Sequence, residues 1–109
     1  MHNPALQEFT DSDWDILKAE TRRALMEEED GAQVDWNNPE TGSGGAIKLI
    51  ATAEYRGQTW RRAAFRQFTA KGSEVHGVYY LCHQQDDTWK FVTESEMRAA
   101  AMEEKPTPP

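Results

Sequence analysis

Hydrophobic positions recur along this chain with two different spacings, and the change falls at one glycine. Trp14, Leu17, Thr21, Ala24 and Leu25 follow one another at steps of three, four, three and one, which lines a single face of a helix. Lys18, Glu20, Arg22 and Arg23 fall between them as the wet face. Thr10, Asp11, Ser12 and Asp13 can each cap the free N–H groups of a first turn, and Asp11, Asp13 and Asp15 suit the positive end of the helix dipole. The acids Glu27–Asp30 crowd the negative end, where repulsion predicts fraying, and Gly31 is the predicted stop.

Beyond Gly31 the period becomes two. Val34 and Trp36 share one side of a short strand over residues 33–37, and the Pro- and Gly-rich run 37–45 reads as a loop. Residues 46–55 form the next strand, with Ile47, Leu49, Ala51, Ala53 and Tyr55 on one side. After a turn at 56–58, residues 59–69 carry Trp60, Arg62, Ala64, Arg66 and Phe68 on one side and Phe65 on the other, so alternation leaves open which side is buried. Residues 70–73 make a hairpin turn, 74–84 a long strand, 85–88 another turn, and 89–92 a short last strand. Thr93 and Glu96 have the spacing of a capping box, which starts a short helix from Glu94 to about Met102. The order predicts an α+β fold: an N-terminal helix packed on an antiparallel β-meander of about five strands, closed by a short C-terminal helix. Residues 1–10 are expected to be a flexible lead-in, 11–102 one domain, and 103–109 a disordered tail.

Charge narrows the partners. The net charge is −7, which repels phosphate backbones and anionic membranes, so nucleic acid is not an expected partner. The distribution is uneven, however. Residues 56–71 hold Arg56, Arg61, Arg62, Arg66 and Lys71 without one acid. Such a strip either solvates the outer face of a strand or receives an acidic partner. No apolar stretch is long enough for a transmembrane helix. The start, Met1-His2-Asn3-Pro4, lacks the basic and apolar segments of a secretory leader.

The run Gly31-Ala32-Gln33-Val34-Asp35-Trp36-Asn37-Asn38-Pro39-Glu40-Thr41-Gly42-Ser43-Gly44 resembles the G-x-x-V-x-W-x-N-P-x-T-G-x-x-G signature of the surface-antigen domain. That domain closes bacterial glycine-zipper outer-membrane lipoproteins. Residues 57–92 keep the order of its features, down to Cys82 and Asp86-Asp87-Thr88-Trp89-Lys90-Phe91-Val92, similar to the family's C-x-x-x-D-G-x-W-x-x-V ending. The resemblance implies the same fold and a non-enzymatic envelope role. The family usually has a second cysteine at the start of the third strand; the matching region near Trp60 and Arg61 has none, so the implied disulfide is absent. The glycine-zipper segment and lipidated cysteine are also missing.

No complete catalytic, metal or cofactor constellation is present. His76 and Cys82 lie on one side of a strand but roughly 20 Å apart at about 3.3 Å per residue. Cys82 and His83 point to opposite sides, so they form no nucleophile–base pair. Asp86 and Asp87 sit in a turn, where carboxylates cap. Gly42-Ser43-Gly44-Gly45 lacks the Lys-Ser/Thr ending of a phosphate loop and reads as a flexible connection or a recognition loop presenting Asn37, Asn38 and Thr41. Trp14, Trp36, Trp60 and Trp89 are the expected core anchors.

The favoured function is a binding or structural domain of the envelope that recognises a protein or envelope polymer. Its expected surface is Trp60, Arg62 and Arg66, with the Asn37–Gly45 loop beside it. Its place is then the periplasm or outer-membrane periphery, after removal of a leader. The alternative is a cytoplasmic adaptor or regulatory subunit of a larger assembly. A third class, a ligand carrier, requires an apolar internal cavity. A homo-oligomer through a sheet edge is a further expectation, with residues 74–84 the critical strand if they lie at the edge.

Overall fold

In the computed structural model residues 8–103 are described, with side chains through residue 99. The expected lead-in over 1–7 and tail over 104–109 lie outside the described residues. The element order is α1 (Asp11–Glu27), β1 (Gln33–Asn37), β2 (Gly44–Tyr55), β3 (Gln58–Phe68), β4 (Glu74–His83), β5 (Trp89–Val92) and α2 (Glu94–Glu103). The five strands pair in sequence order, all antiparallel, as one meander. This is the α+β fold expected from the sequence. Tight turns explain the topology: Arg56 and Gly57 both take positive φ, the geometry that joins β2 to β3 with two residues.

One side of the sheet meets α1, which packs chiefly over β1 and β2. Between them lies the main core: Ala24 and Leu25 against Val34, Ile47, Leu49, Ala63, Phe65 and Leu81. A second cluster forms where the chain enters α1. Phe9 is buried there and meets Trp14 and Trp36 edge-on, with ring centroids 5.3 and 5.7 Å apart. Phe9 therefore corrects the expected lead-in: a large ring gains more from burial than the short segment loses in freedom, and the fold includes Glu8–Thr10. Glu8 accepts hydrogen bonds from Thr69 and Ser73 across the molecule.

Both ends of α1 are held by charge. At the N-terminus Thr10 and Asp13 form a reciprocal capping box. Asp13 does more than cap. It is fully buried, and its carboxylate also accepts Asn38 Nδ2 at 2.8 Å and Thr41 Oγ1 at 2.6 Å. At the C-terminus the guanidinium of Arg61 on β3 donates to Leu25 O at 2.7 Å and pairs with Asp30 at 3.1 Å. It takes up carbonyls that the helix leaves free, and its charge opposes the acids crowded at that end. The helix stops at Glu27, with an extended C-cap at Glu28 in place of the expected stop at Gly31. Gly31, at φ +94°, instead turns the chain into the sheet, where its N–H bonds Leu49 O.

Two strand readings are corrected. β2 begins at Gly44, inside the run read as a loop, because Gly44 and Gly45 pair with Asn37 and Trp36 where no side chain fits: a Cβ on Gly44 would meet the Phe68 ring, and one on Gly45 the Trp36 indole and Gln67. The alternation from Ile47 to Tyr55 also breaks. The register with β3 shifts between Leu49 and Ala51, so Ile50 is an extra residue in a bulge. Ile47 and Leu49 face α1, whereas Ala51 and Ala53 pair with Arg62 and Trp60 on the other side.

Burial pushes the Asp13 carboxyl up, but hydrogen bonds from Thr41, Thr10 and Asn38 outweigh it and hold it below the usual carboxylate range. Its folded value is then lower than its unfolded one. The stabilisation is complete above the ordinary Asp value and is lost as pH falls through the folded one. Asp13→Asn sets an amide N–H₂ against existing donors, at a cost of about 2–3 kcal/mol near pH 7. Urea unfolding from pH 7 down to pH 3 checks this. The gap between the two proteins narrows in acid, and a gap independent of pH contradicts the ionised role of Asp13.

Candidate functional site

Alternation on β3 sorts its residues into two jobs. Arg61, Ala63, Phe65 and Gln67 are buried beneath the helix side, whereas Trp60, Arg62, Ala64, Arg66 and Phe68 lie on the side α1 leaves open. The expected surface residues Trp60, Arg62 and Arg66 thus share one open face. Arg62 and Arg66 are solvent-exposed, and Trp60 is half-buried. The Arg62 guanidinium lies 5.7 Å from the centre of the Tyr80 ring on β4. Arg66 pairs with Glu74, and that carboxylate also meets His76 at 3.3 Å. The hydrogen bond from Arg66 is the main reason the Glu74 carboxyl lies below its usual range. By register, Lys48 and Lys90 stand on the same face, with Asp35 and Glu74 as its acids.

Arg61 departs from the basic strip in which the sequence places it. It is 6% exposed and serves the C-terminus of α1. Thr52 donates to Asp30 at 2.6 Å and accepts from Arg61 at 2.9 Å. The Thr52 bond, then Arg61, keeps the Asp30 carboxyl below its ordinary value.

The loop residues separate in the same way. Asn37 is exposed. Asn38 is 1% exposed, and its amide donates to Ser12 and Asp13. Thr41 gives its hydroxyl proton to Asp13 and accepts Ser43 N–H. Asn38 and Thr41 therefore spend their polar groups inside, tying the β1–β2 connection to the start of α1. This corrects their reading as presenters in a recognition loop. Of the four tryptophans Trp36 alone is fully buried, its indole N–H donated to Gln67 at 3.2 Å; the other three are half-buried.

The helix side holds a feature that alternation alone did not reveal. Because α1 sits chiefly over β1 and β2, Tyr79 of β4 and Phe91 of β5 stay exposed on the helix side, although α2 touches β4. An apolar groove of about 500 Å³ opens there between α1 and the strands. Phe65, Tyr79 and Phe91 form a ring cluster along it, with centroids 5.5–6.1 Å apart. Gly77 lies under the Tyr79 ring, where a Cβ would fall 2.6 Å from ring atoms. Leu17, Leu25, Leu81, Trp14 and Trp89 complete the apolar lining. The Nε1 of Trp89, like that of Trp60, is buried with no hydrogen-bond partner among the described residues. β4 lies between β3 and β5, but β5 pairs with Tyr80–His83, so among the described residues Glu74–Tyr79 has no strand partner on that side.

Remaining chemical candidates stay apart. His83 Nε2 lies 3.0 Å from Asp87, and its ring stacks on Trp89. Burial pushes the Cys82 thiol up, away from the thiolate. Asp86 accepts Thr88 Oγ1 and Thr88 N, as a turn cap does, and these bonds lower its carboxyl. Among the described residues no group of three His, Cys, Asp or Glu is placed to hold a metal, and no helix is long and apolar enough to cross a membrane. No family model, curated protein or solved structure matches this chain.

Neighbouring arginines on one strand provide a direct test of the sorting. Arg61→Ala removes a buried cation, takes the donor from Leu25 O and breaks the ion pair with Asp30, for a loss of about 3 kcal/mol. Arg62→Ala loses an exposed cation–π contact, for at most about 1 kcal/mol. Urea midpoints of the two variants measure the difference, and equal losses contradict it.

Proposed function

We propose that this chain is a non-enzymatic binding or structural domain of the bacterial cell envelope, of the surface-antigen kind. It recognises an acidic protein surface or envelope polymer through the open face of the sheet. One observation carries the reading. Lys48, Arg62, Arg66 and Lys90 share that face against Asp35 and Glu74, on a chain of net charge −7. A cationic face on an acidic body orients an acidic partner and repels it everywhere else. Trp60, Tyr80 and the exposed Val78 add apolar area between the charges, and Trp, Tyr and Arg are the residues that dominate interface energies.

The envelope part of the proposal is supported by the resemblance over residues 31–44 and 57–92. A register relation adds to it. The family pattern implies a cysteine at the start of the third strand and another at the end of the fourth. Here the start of β3 and the end of β4 are direct partners, and Trp60 stands opposite Cys82. The place proposed for the domain is the periplasm or outer-membrane periphery; fractionation of the full-length protein in its native host tests that assignment.

The face itself is tested with defined polymers. At low salt the domain binds poly-L-glutamate, and binding falls steeply as salt rises. Arg62→Glu/Arg66→Glu abolishes it, while the urea midpoint moves by less than about 1 kcal/mol of stability. Failure to bind poly-L-glutamate, or unchanged binding by the double variant, removes the proposal.

A further inference from the structure

We infer that the groove beside α1 is a binding site for a single-chain amphiphile with an anionic head, such as a long-chain carboxylate. The site lies on the opposite side of the sheet from the cationic face. Its size is within the roughly 300–1,000 Å³ of small-ligand sites, at about 500 Å³. From Trp14 to Leu25 it runs about 16 Å along α1, at roughly 1.5 Å per residue. Its walls are apolar and aromatic, and the missing side chain at Gly77 lets the Tyr79 ring lie down along the floor. Phe91, 56% exposed, and Tyr79, 42% exposed, are the apolar surface that such a chain covers.

The charge of the rim selects the head. The charged side chains that line the groove from α1 are Lys18 and Arg22, and no acid lines it, although acids outnumber bases in the chain by seven. Lys18 and Arg22 are four residues apart, so they stand one above the other on the same face of α1. Arg22 is held by the backbone carbonyl of Asp87, which bridges α1 to the β4–β5 turn and closes that end. Lys18 has no ion-pair partner among the described residues. A carboxylate at this lip meets both cations, while its chain follows the rings toward Val75. A partner helix with an acidic flank would meet the same charges. The aromatic floor over Gly77 and the bridge at Arg22 favour a flexible chain, because a rigid cylinder gains nothing from a closed end.

Tetradecanoate, kept below its micelle concentration, is the probe, and tryptophan fluorescence with calorimetry is the readout. The expected result is saturable one-to-one binding, weakened about tenfold for every two methylenes removed. Lys18→Glu weakens the carboxylate roughly two- to fivefold and strengthens tetradecyltrimethylammonium. Gly77→Leu fills the floor and abolishes binding. Phe91→Asp, at an exposed position, does the same should the glycine variant not fold. Arg62→Glu/Arg66→Glu leaves tetradecanoate binding unchanged, so failure at this site and failure of the open face are separable. No saturable binding overturns the inference. So does affinity independent of chain length, equal affinity for the ammonium amphiphile, or binding of an acidic amphipathic helical peptide where tetradecanoate does not bind.

Discussion

The fold depends on α1 being clamped at both ends by buried charges that match its dipole. Asp13 is the anion at the positive end and Arg61 the cation at the negative end. Each would be costly to bury alone. Each is instead saturated: Asp13 by Thr10, Asn38 and Thr41, and Arg61 by Leu25 O, Thr52 and Asp30. Hydrophobic contact between α1 and the sheet has no fixed direction, so on its own it would allow the helix to slide or rotate. Hydrogen bonds at both ends remove that freedom. Where the clamp places α1, over β1 and β2, decides what the rest of the sheet can do.

Two surfaces follow from that placement. The groove exists because α1 is offset toward one edge of a five-stranded sheet, so that Phe65 is buried at its margin while Tyr79 and Phe91 stay exposed beside it. The cationic face exists because β3 spends Arg61 on the helix and leaves Arg62 and Arg66 to solvent. Adjacent arginines with opposite roles are a consequence of the two-residue period of a strand.

Periodic features were legible in the sequence. The helix, the five strands and the turns were found within two or three residues because each follows from a local spacing or a turn residue. The errors have a common cause. Arg61, Asn38 and Thr41 look like solvent-facing residues because their partners are 9 to 36 positions away on other elements. Ile50 shifts the phase of β2 without any glycine or proline to mark it. The groove was invisible for a similar reason. Alternation identified Phe65 as facing one side of its strand, but only the lateral position of α1 decides how far that side is covered.

The resemblance of residues 31–44 to a surface-antigen signature acquires a physical meaning from the same clamp. Trp36 closes the second core cluster, Asn38 and Thr41 bind Asp13, and Gly45 admits the indole of Trp36. Val34, Trp36, Asn38 and Thr41 of the run are spent on joining α1 to the sheet, while Gln33, Asp35, Asn37 and Glu40 stay exposed. A signature of this kind reports how the domain is assembled, and it carries little information about what the domain binds. Specificity has to reside where side chains are free to vary without loosening the clamp. In this chain those places are the cationic face around Arg62 and Arg66 and the ring-lined groove beside Lys18. Because the sheet separates the two proposed sites, a ligand bound at one would leave the other accessible.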